Sequence, residues 1–88
     1  MTNHPHRSRT VRIALARQEI VRLRNLAAWQ RDDYAQSHYR QAQTPIYPGQ
    51  EMICIGKAQQ AERLSAANDA AANVLEARIE AIEARRKT

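Results

Sequence analysis

The sequence predicts an all-α protein in which two long amphipathic helices form an antiparallel hairpin that pairs with a second copy into a four-helix bundle. Two glycines and three prolines occur in 88 residues, and they are confined to the N-terminal segment and one central stretch. Apolar residues recur at alternating spacings of three and four on both sides of that stretch, which is the helical period. Strand-rich folds need turn residues spread more evenly along the chain.

The chain length allows one domain. We divide it into an arm (1–7), a first helix (8–43), a turn (44–50) and a second helix (51–87). Chains of this size bury only about 60% of their unfolded surface. Because Phe is absent and there is a single Trp, we expect a thin core that gains stability from a partner or a second copy.

The first helix is predicted from Ser8 onward, because Ser8 or Thr10 can cap it and no Gly or Pro follows before Gln43. Its predicted core stripe follows the spacing of a coiled coil and consists of Ile13, Ala16, Ile20, Leu23, Ala27, Gln30 and Tyr34, widened by Leu26. A second apolar strip recurs every seven residues at Ala14, Val21, Ala28, Ala35 and Ala42. We therefore expect more apolar surface than one neighbouring helix can cover.

The segment TPIYPGQ (44–50) predicts a chain reversal, because Pro45 disfavours helical geometry at Thr44 and Pro48-Gly49 favours a turn. The following run MICI (52–55) is compatible with a short strand or with the start of the second helix, and we favour the helix. Further on, the core stripe is predicted at Ala61, Leu64, Asn68, Ala71, Leu75, Ile79 and Ile82.

The apolar surplus predicts a homodimer, since two hairpins would cover each other's second strip. A buried Asn68 would fix the register of such a bundle, although Asn68 at a solvent-facing edge is an equal alternative. The residues expected in the core or at the dimer interface are Ile13, Ile20, Leu23, Leu26, Leu64, Asn68, Leu75, Ile79 and Ile82.

The net charge of +5 resides in the first 24 residues, where six arginines accompany one acid, Glu19. A basic stripe that would contact phosphates is predicted at Arg7, Arg9, Arg12, Arg17, Arg24 and Arg31. Because acidic residues interrupt this surface and no aromatics alternate with the arginines, interhelical ion pairing is the stronger alternative.

Catalytic and metal-binding groups are not predicted. The His4-x-His6 pair lacks further ligands, Cys54 has no neighbouring base, and the bundle-type Glu-x-x-His motif is absent. We interpret Cys54 as a buried small residue and His38 as a solvated one. We expect no enzymatic activity, no metal and no cofactor.

The compartment predicted is the cytoplasm. One cysteine cannot form an internal disulfide, and neither a signal peptide nor a membrane span is recognisable. We therefore expect no membrane partner.

One outer face of the first helix combines aromatic and basic residues, namely Leu15, Arg22, Trp29 and Tyr39. Exposed Trp and Tyr beside Arg are typical of protein-binding hot spots. The alternative is that Trp29 packs inside the dimer.

The segment RTVRIALARQEIVRLRNLAAW, about a quarter of the chain, resembles small accessory proteins of temperate bacteriophages, such as quorum-sensing anti-activators and other host-takeover inhibitors. The resemblance lies in architecture and composition and implies a regulator or inhibitor that binds a larger host protein. Two other hypotheses are a dimeric nucleic-acid binder, similar to the plasmid repressor-of-primer hairpin, and an assembly chaperone or structural subunit.

Overall fold

The protein is all-helical, and the computed structural model describes residues 8–86. The first helical arm consists of α1 (Arg9–Ala28), a π-helical segment (Trp29–Tyr34) and α2 (Ala35–Gln43), which follow one another without a break. The second arm is the single helix α3 (Gln50–Arg86). Within 8–86 there is no strand. The predicted arm 1–7 and the last residues, including Arg7, His4 and His6, lie outside the described part.

Both ends of the first arm follow from local chemistry. The Ser8 hydroxyl caps α1 by accepting a hydrogen bond from the Val11 amide at 3.1 Å, which satisfies one of the free amides of the first turn. Thr44 leaves helical geometry with φ −133° and ψ 68°, as expected for a residue before proline. Gly49 adopts φ +88°, a left-handed conformation that glycine tolerates best.

The second arm starts immediately after Gly49 and includes residues 52–55, so the helical alternative for that segment is confirmed. Side-chain contacts connect the arms along their length. Arg17 contacts Glu83 near one end, Asn68 contacts Gln30 in the middle, and Cys54 contacts Gln41 near the other end. The first arm thus packs against α3 over most of its length.

The molecule is a layer one helix thick. Its principal dimensions are 61 × 33 × 14 Å, and the smallest approaches the diameter of one helix, about 10–12 Å. Its described core is made largely of small residues, and alanines at four positions have no exposed surface: Ala27, Ala35, Ala58 and Ala72. Small side chains let two helix backbones approach closely but bury little apolar area.

The predicted core stripe of the first arm matches the structure up to Gln30. Beyond Gln30, the buried positions lie one residue later than predicted. Leu23 and Ala27 are buried and Gln30 is half-buried. Tyr34 was wrongly placed in the core: it is 36% exposed, and Ala35 is fully buried instead. The π-helical segment explains the shift, because its wider turn takes up one extra residue.

Within the single chain, the contact between the arms departs from the predicted stripe of α3 at two positions. Leu64 is 47% exposed and Ala71 is also exposed, while Ser65 and Ala72 are buried in their place. The close approach of the arms favours the smaller neighbour at the contact over the more hydrophobic Leu64. Of the other residues predicted for the core, Ile79 is buried and the remainder are half-buried: Ile13, Ile20, Leu26, Asn68, Leu75 and Ile82.

Candidate functional site

A ladder of ion pairs connects the arms on one side of the layer. Arg17 Nη2 donates to Glu83 Oε2 at 3.0 Å. Arg24 donates to Asp69 Oδ1 at 3.1 Å and also to a carboxylate oxygen of Glu76. These two arginines of the predicted phosphate-binding stripe are therefore occupied by carboxylates of α3.

The ladder continues toward the end of α3 that lies near the turn. Arg31 is 3.0 Å from Asp32 and 3.5 Å from Asp69, and the Tyr39 hydroxyl donates to Glu62 Oε1 at 2.7 Å. The acids on α3 recur every seven residues, at Glu62, Asp69, Glu76 and Glu83, which places them on one side of the helix. For Arg17, Arg24 and Arg31, interhelical pairing is what the structure shows.

These hydrogen bonds shift the pKa of several groups. The bond to Glu76 raises the pKa of Arg24, and the bond to Glu62 raises the pKa of the Tyr39 hydroxyl because the protonated phenol is the donor. On the outer surface, the bond from Arg22 lowers the pKa of Glu19. Since these groups are partly exposed, each pair contributes little to stability, and the two that join the arms mainly orient them.

An aromatic cluster lies at the π-helical segment. The ring centroids of Trp29 and Tyr34 are 5.4 Å apart with the planes tilted by 53°, and Tyr34 meets His38 edge to face at 4.5 Å. In an α-helix, residues five apart point in clearly different directions. The wider π-helical turn brings Trp29 and Tyr34 onto one face, so the cluster depends on the π-helix.

A pocket of about 340 Å³ opens beside this cluster, between the two arms. We call it the aromatic pocket, and its lining residues are Trp29, Gln30, Tyr34, Lys57, Gln60, Ala61 and Leu64. Trp29 and Leu64 remain 49% and 47% exposed. Large apolar side chains gathered at a concave surface, with polar groups around them, have the composition of a binding site.

The predicted outer face is exposed at Leu15, Arg22 and Trp29, which recur every seven residues along the first arm. Leu15 is exposed on α1, and Arg22 is held by Glu19 through bonds of 2.7 and 2.6 Å. Tyr39 packs instead against the alanine cluster between α2 and α3. Of the four residues predicted, Trp29 alone lines the aromatic pocket.

Sequence reasoning missed Tyr34 and Leu64 as surface residues because both fit the periodicity of a core stripe. One feature of the sequence does point to the shift. The second strip places Ala35 and Ala42 every seven residues after Ala28, and both are buried. A transfer of the core from one strip to the other requires a one-residue change of helical phase, which is what a π-helix provides.

A second groove lies between the start of α1 and the end of α3 and encloses about 480 Å³. We call it the basic groove. Its lining residues are Arg9, Arg12, Ile13, Ala16, Leu75, Arg78, Ile79, Ile82 and Arg85. Two further arginines of the predicted phosphate-binding stripe, Arg9 and Arg12, therefore border an apolar floor.

Reactive groups are sparse and apart in the described part of the chain. Among residues 8–86, no three His, Cys, Asp or Glu side chains are grouped to hold a metal ion. Cys54 is buried and donates weakly to Gln41 Oε1 at 3.7 Å. His38 is half-buried rather than solvated, and its Nδ1 has no hydrogen-bond partner among the described residues.

None of the helices in the described range 8–86 combines the length and hydropathy of a membrane span. In comparisons with known protein families, curated proteins and solved structures, the chain has no significant match.

Proposed function

We propose that the protein is a non-enzymatic protein–protein interaction module that docks the aromatic pocket onto a larger protein. The observation that carries this proposal is the exposure of Trp29, Tyr34 and Leu64 around one concavity. Burying an exposed Trp at a partner surface is among the strongest single contributions to binding. No other described feature concentrates as much aromatic surface.

The pocket is preorganised by two hydrogen bonds at the start of the π-helical segment. The Ser65 hydroxyl donates to the Ala27 carbonyl oxygen at 2.7 Å, and Asn68 Nδ2 donates to Gln30 Oε1 at 2.9 Å. These bonds join the segment to α3, which supplies Leu64. A binding surface that is already ordered loses less conformational entropy on association.

The biological role we propose is that of a small phage or bacterial regulator or inhibitor acting on a host protein in the cytoplasm. The small size, the rigid pocket and the sparse reactive groups support this role. An assembly chaperone or structural subunit would use the same pocket, but it would need its partner in order to fold. A cooperative melt of the isolated chain would contradict that alternative.

For the assembly, we propose an antiparallel hairpin that pairs into a four-helix-bundle dimer. The support is the thickness of 14 Å, which leaves both broad surfaces of the layer open, and a core made largely of alanine. Two layers packed together would bury far more apolar surface per chain. Sedimentation that shows a folded monomer at micromolar concentration would contradict the dimer.

Affinity capture tests the protein-binding function. The tagged wild-type chain, Trp29→Ala and the control Tyr47→Ala are incubated with bacterial lysate, with and without nuclease. Tyr47 is a matched control because it is also exposed, at 51%, but lies in the turn. We expect a protein retained by wild type and Tyr47→Ala, lost with Trp29→Ala, and unaffected by nuclease.

A partner that Trp29→Ala retains would overturn the aromatic pocket as the docking site. Loss on nuclease treatment would instead support nucleic-acid binding. Nucleic-acid binding would have to use arginines outside the ladder, or break the pairs that hold Arg17 and Arg24. The affinity for nucleic acid would then fall steeply with salt.

A further inference from the structure

We infer that the basic groove binds an acidic amphipathic helix of a partner protein. The inference rests on the protein-binding function proposed above, but it concerns a separate part of the surface. The aromatic pocket and the basic groove share no lining residue.

The floor of the basic groove is apolar and the rim is cationic. The floor consists of Ile13, Leu75 and Ile82, which are half-buried, and Ile79, which is buried. Arginines from both arms border it, among them Arg12 on α1 and Arg78 on α3. An occupant that matches both features must present an apolar stripe between carboxylates.

Three arginines of this rim keep their positive charge unpaired within residues 8–86. Arg9, Arg12 and Arg78 form no ion pair with any carboxylate of residues 8–86. A third groove, which also reaches Ile79, provides the contrast. There a single arginine, Arg17, shares the lining with the acids Glu76, Glu80 and Glu83. Charge complementarity therefore selects the basic groove for an acidic partner.

The dimensions suit a short helix. The lining of α3 extends from Leu75 to Arg85, a rise of about 15 Å at about 1.5 Å per residue. This length matches about three turns of a bound helix, whose apolar residues at positions i, i+4 and i+7 would cover the isoleucine floor. A nucleic-acid backbone would pair with the arginines but leave that floor uncovered, so the apolar floor favours the amphipathic helix.

The two binding regions lie on the same side of α3. Lys57 and Leu64 line the aromatic pocket, and Arg78 lines the basic groove. These positions differ by multiples of seven residues, which places them on one strip of the helix. Leu64 and Arg78 are about 21 Å apart along the axis, so one partner can contact both regions.

A designed peptide tests the groove. The probe is a fluorescein-labelled helical peptide of about sixteen residues, with Leu at i, i+4 and i+7 between flanking Glu residues. Binding is measured by fluorescence anisotropy to the full-length wild type, to Arg12→Glu/Arg78→Glu and to Arg40→Glu/Arg63→Glu. The last variant is the matched control, since it makes the same charge change at exposed positions outside the groove.

We expect Arg12→Glu/Arg78→Glu to weaken binding of the acidic peptide by at least about tenfold, because each substitution replaces an attraction with a repulsion. The control variant should change it by less than about threefold through net charge alone. A peptide with Lys in place of Glu should bind Arg12→Glu/Arg78→Glu better than it binds wild type. Circular dichroism establishes that each variant is folded.

An equal loss of peptide binding in the two variants would overturn the inference. It would also be overturned if a duplex oligonucleotide or phosphatidylserine vesicles bound through Arg12 and Arg78 more tightly than the acidic peptide. A peptide in which Ser replaces Leu must also bind at least about tenfold more weakly, since binding by charge alone contradicts a role for the floor. Failure here leaves the aromatic pocket unaffected, because that site is tested separately by Trp29→Ala.

Discussion

The Ser65 hydroxyl crosses between the arms to donate a hydrogen bond of 2.7 Å to the Ala27 carbonyl oxygen. Both residues are buried, with exposures of 3% and 0%. Ala27 immediately precedes the last residue of α1, where the backbone hydrogen-bond step changes from four residues to five. Ser65 therefore anchors α3 to the first arm at the start of the π-helical segment.

Ser65→Ala should lower the free energy of unfolding by about 1–2 kcal/mol, because it removes the buried donor to the Ala27 carbonyl. Urea denaturation measures the change. Ser37→Ala is the control, as Ser37 makes no side-chain hydrogen bond to the described chain, and it should alter stability by less than about 0.5 kcal/mol. Equal effects of the two substitutions would show that the interhelical bond contributes nothing.

Deletion of Asp33 should convert the π-helical segment into an α-helix, since a π-helix accommodates one extra residue within an α-helix. Asp33 is exposed. After its deletion, α1 and α2 should still turn the same faces toward α3. We expect stability within about 1 kcal/mol of wild type and retention of the Trp29–Tyr34 contact and of partner capture, because the deletion brings the two rings to the i,i+4 spacing that shares one face of an α-helix. Near-ultraviolet circular dichroism of Trp29 measures whether the aromatic contact is retained.

Deletion of Gln18, also exposed, provides the control. It rotates Ile13 and Ala16 by about 100° away from α3 and should cost about 2 kcal/mol or more. If the Asp33 deletion destabilises the protein as much, the π-helix contributes to stability and not only to the surface.

Arg24→Gln should lower the thermal midpoint at low ionic strength, because Arg24 bridges Asp69 and Glu76 across the arms. The pairs are partly exposed, so the effect should be smaller than that of Ser65→Ala and should diminish in high salt. Arg63→Gln, an exposed arginine outside the ladder, is the control. A deficit that persists unchanged in high salt would contradict an electrostatic origin.

Stability should fall at alkaline pH through Tyr39. Its pKa is raised above the ordinary value of 10.0 by the bond to Glu62, so the folded state retains the proton more firmly than the unfolded state. This contribution is fully present below the unfolded pKa and is lost as pH rises through the higher folded pKa. Denaturation at a series of pH values should show this loss in wild type.

Tyr39→Phe should be less stable than wild type at neutral pH. It should also lack the part of the stability loss at alkaline pH that ionisation of Tyr39 causes in wild type. Phenolate absorbance of Tyr39, obtained as the difference between wild type and Tyr39→Phe, should titrate above the ordinary range. A Tyr39 that titrates at its ordinary pKa would contradict the hydrogen bond to Glu62.

The sequence determined the elements of this protein. Proline and glycine are confined to a few positions, and the apolar spacing fits the helical period. The helical class, the turn at Gly49 and the helical state of residues 52–55 therefore follow from local chemistry. Ion pairing of the arginine stripe could also be predicted from the sequence, because the acids of α3 recur with the same seven-residue spacing.

Tertiary structure alone decided the phase of the two core stripes and hence the candidate site. In α3, Ser65 and Ala72 displace Leu64 and Ala71 from the contact, because closeness of the backbones outweighs the hydrophobicity of a single leucine. In the first arm, the π-helical segment moves Tyr34 to the surface. A π-helix is rare and local propensity does not predict it, so the phase is decided by packing across the arms. The periodicity within one helix carries no information on that packing.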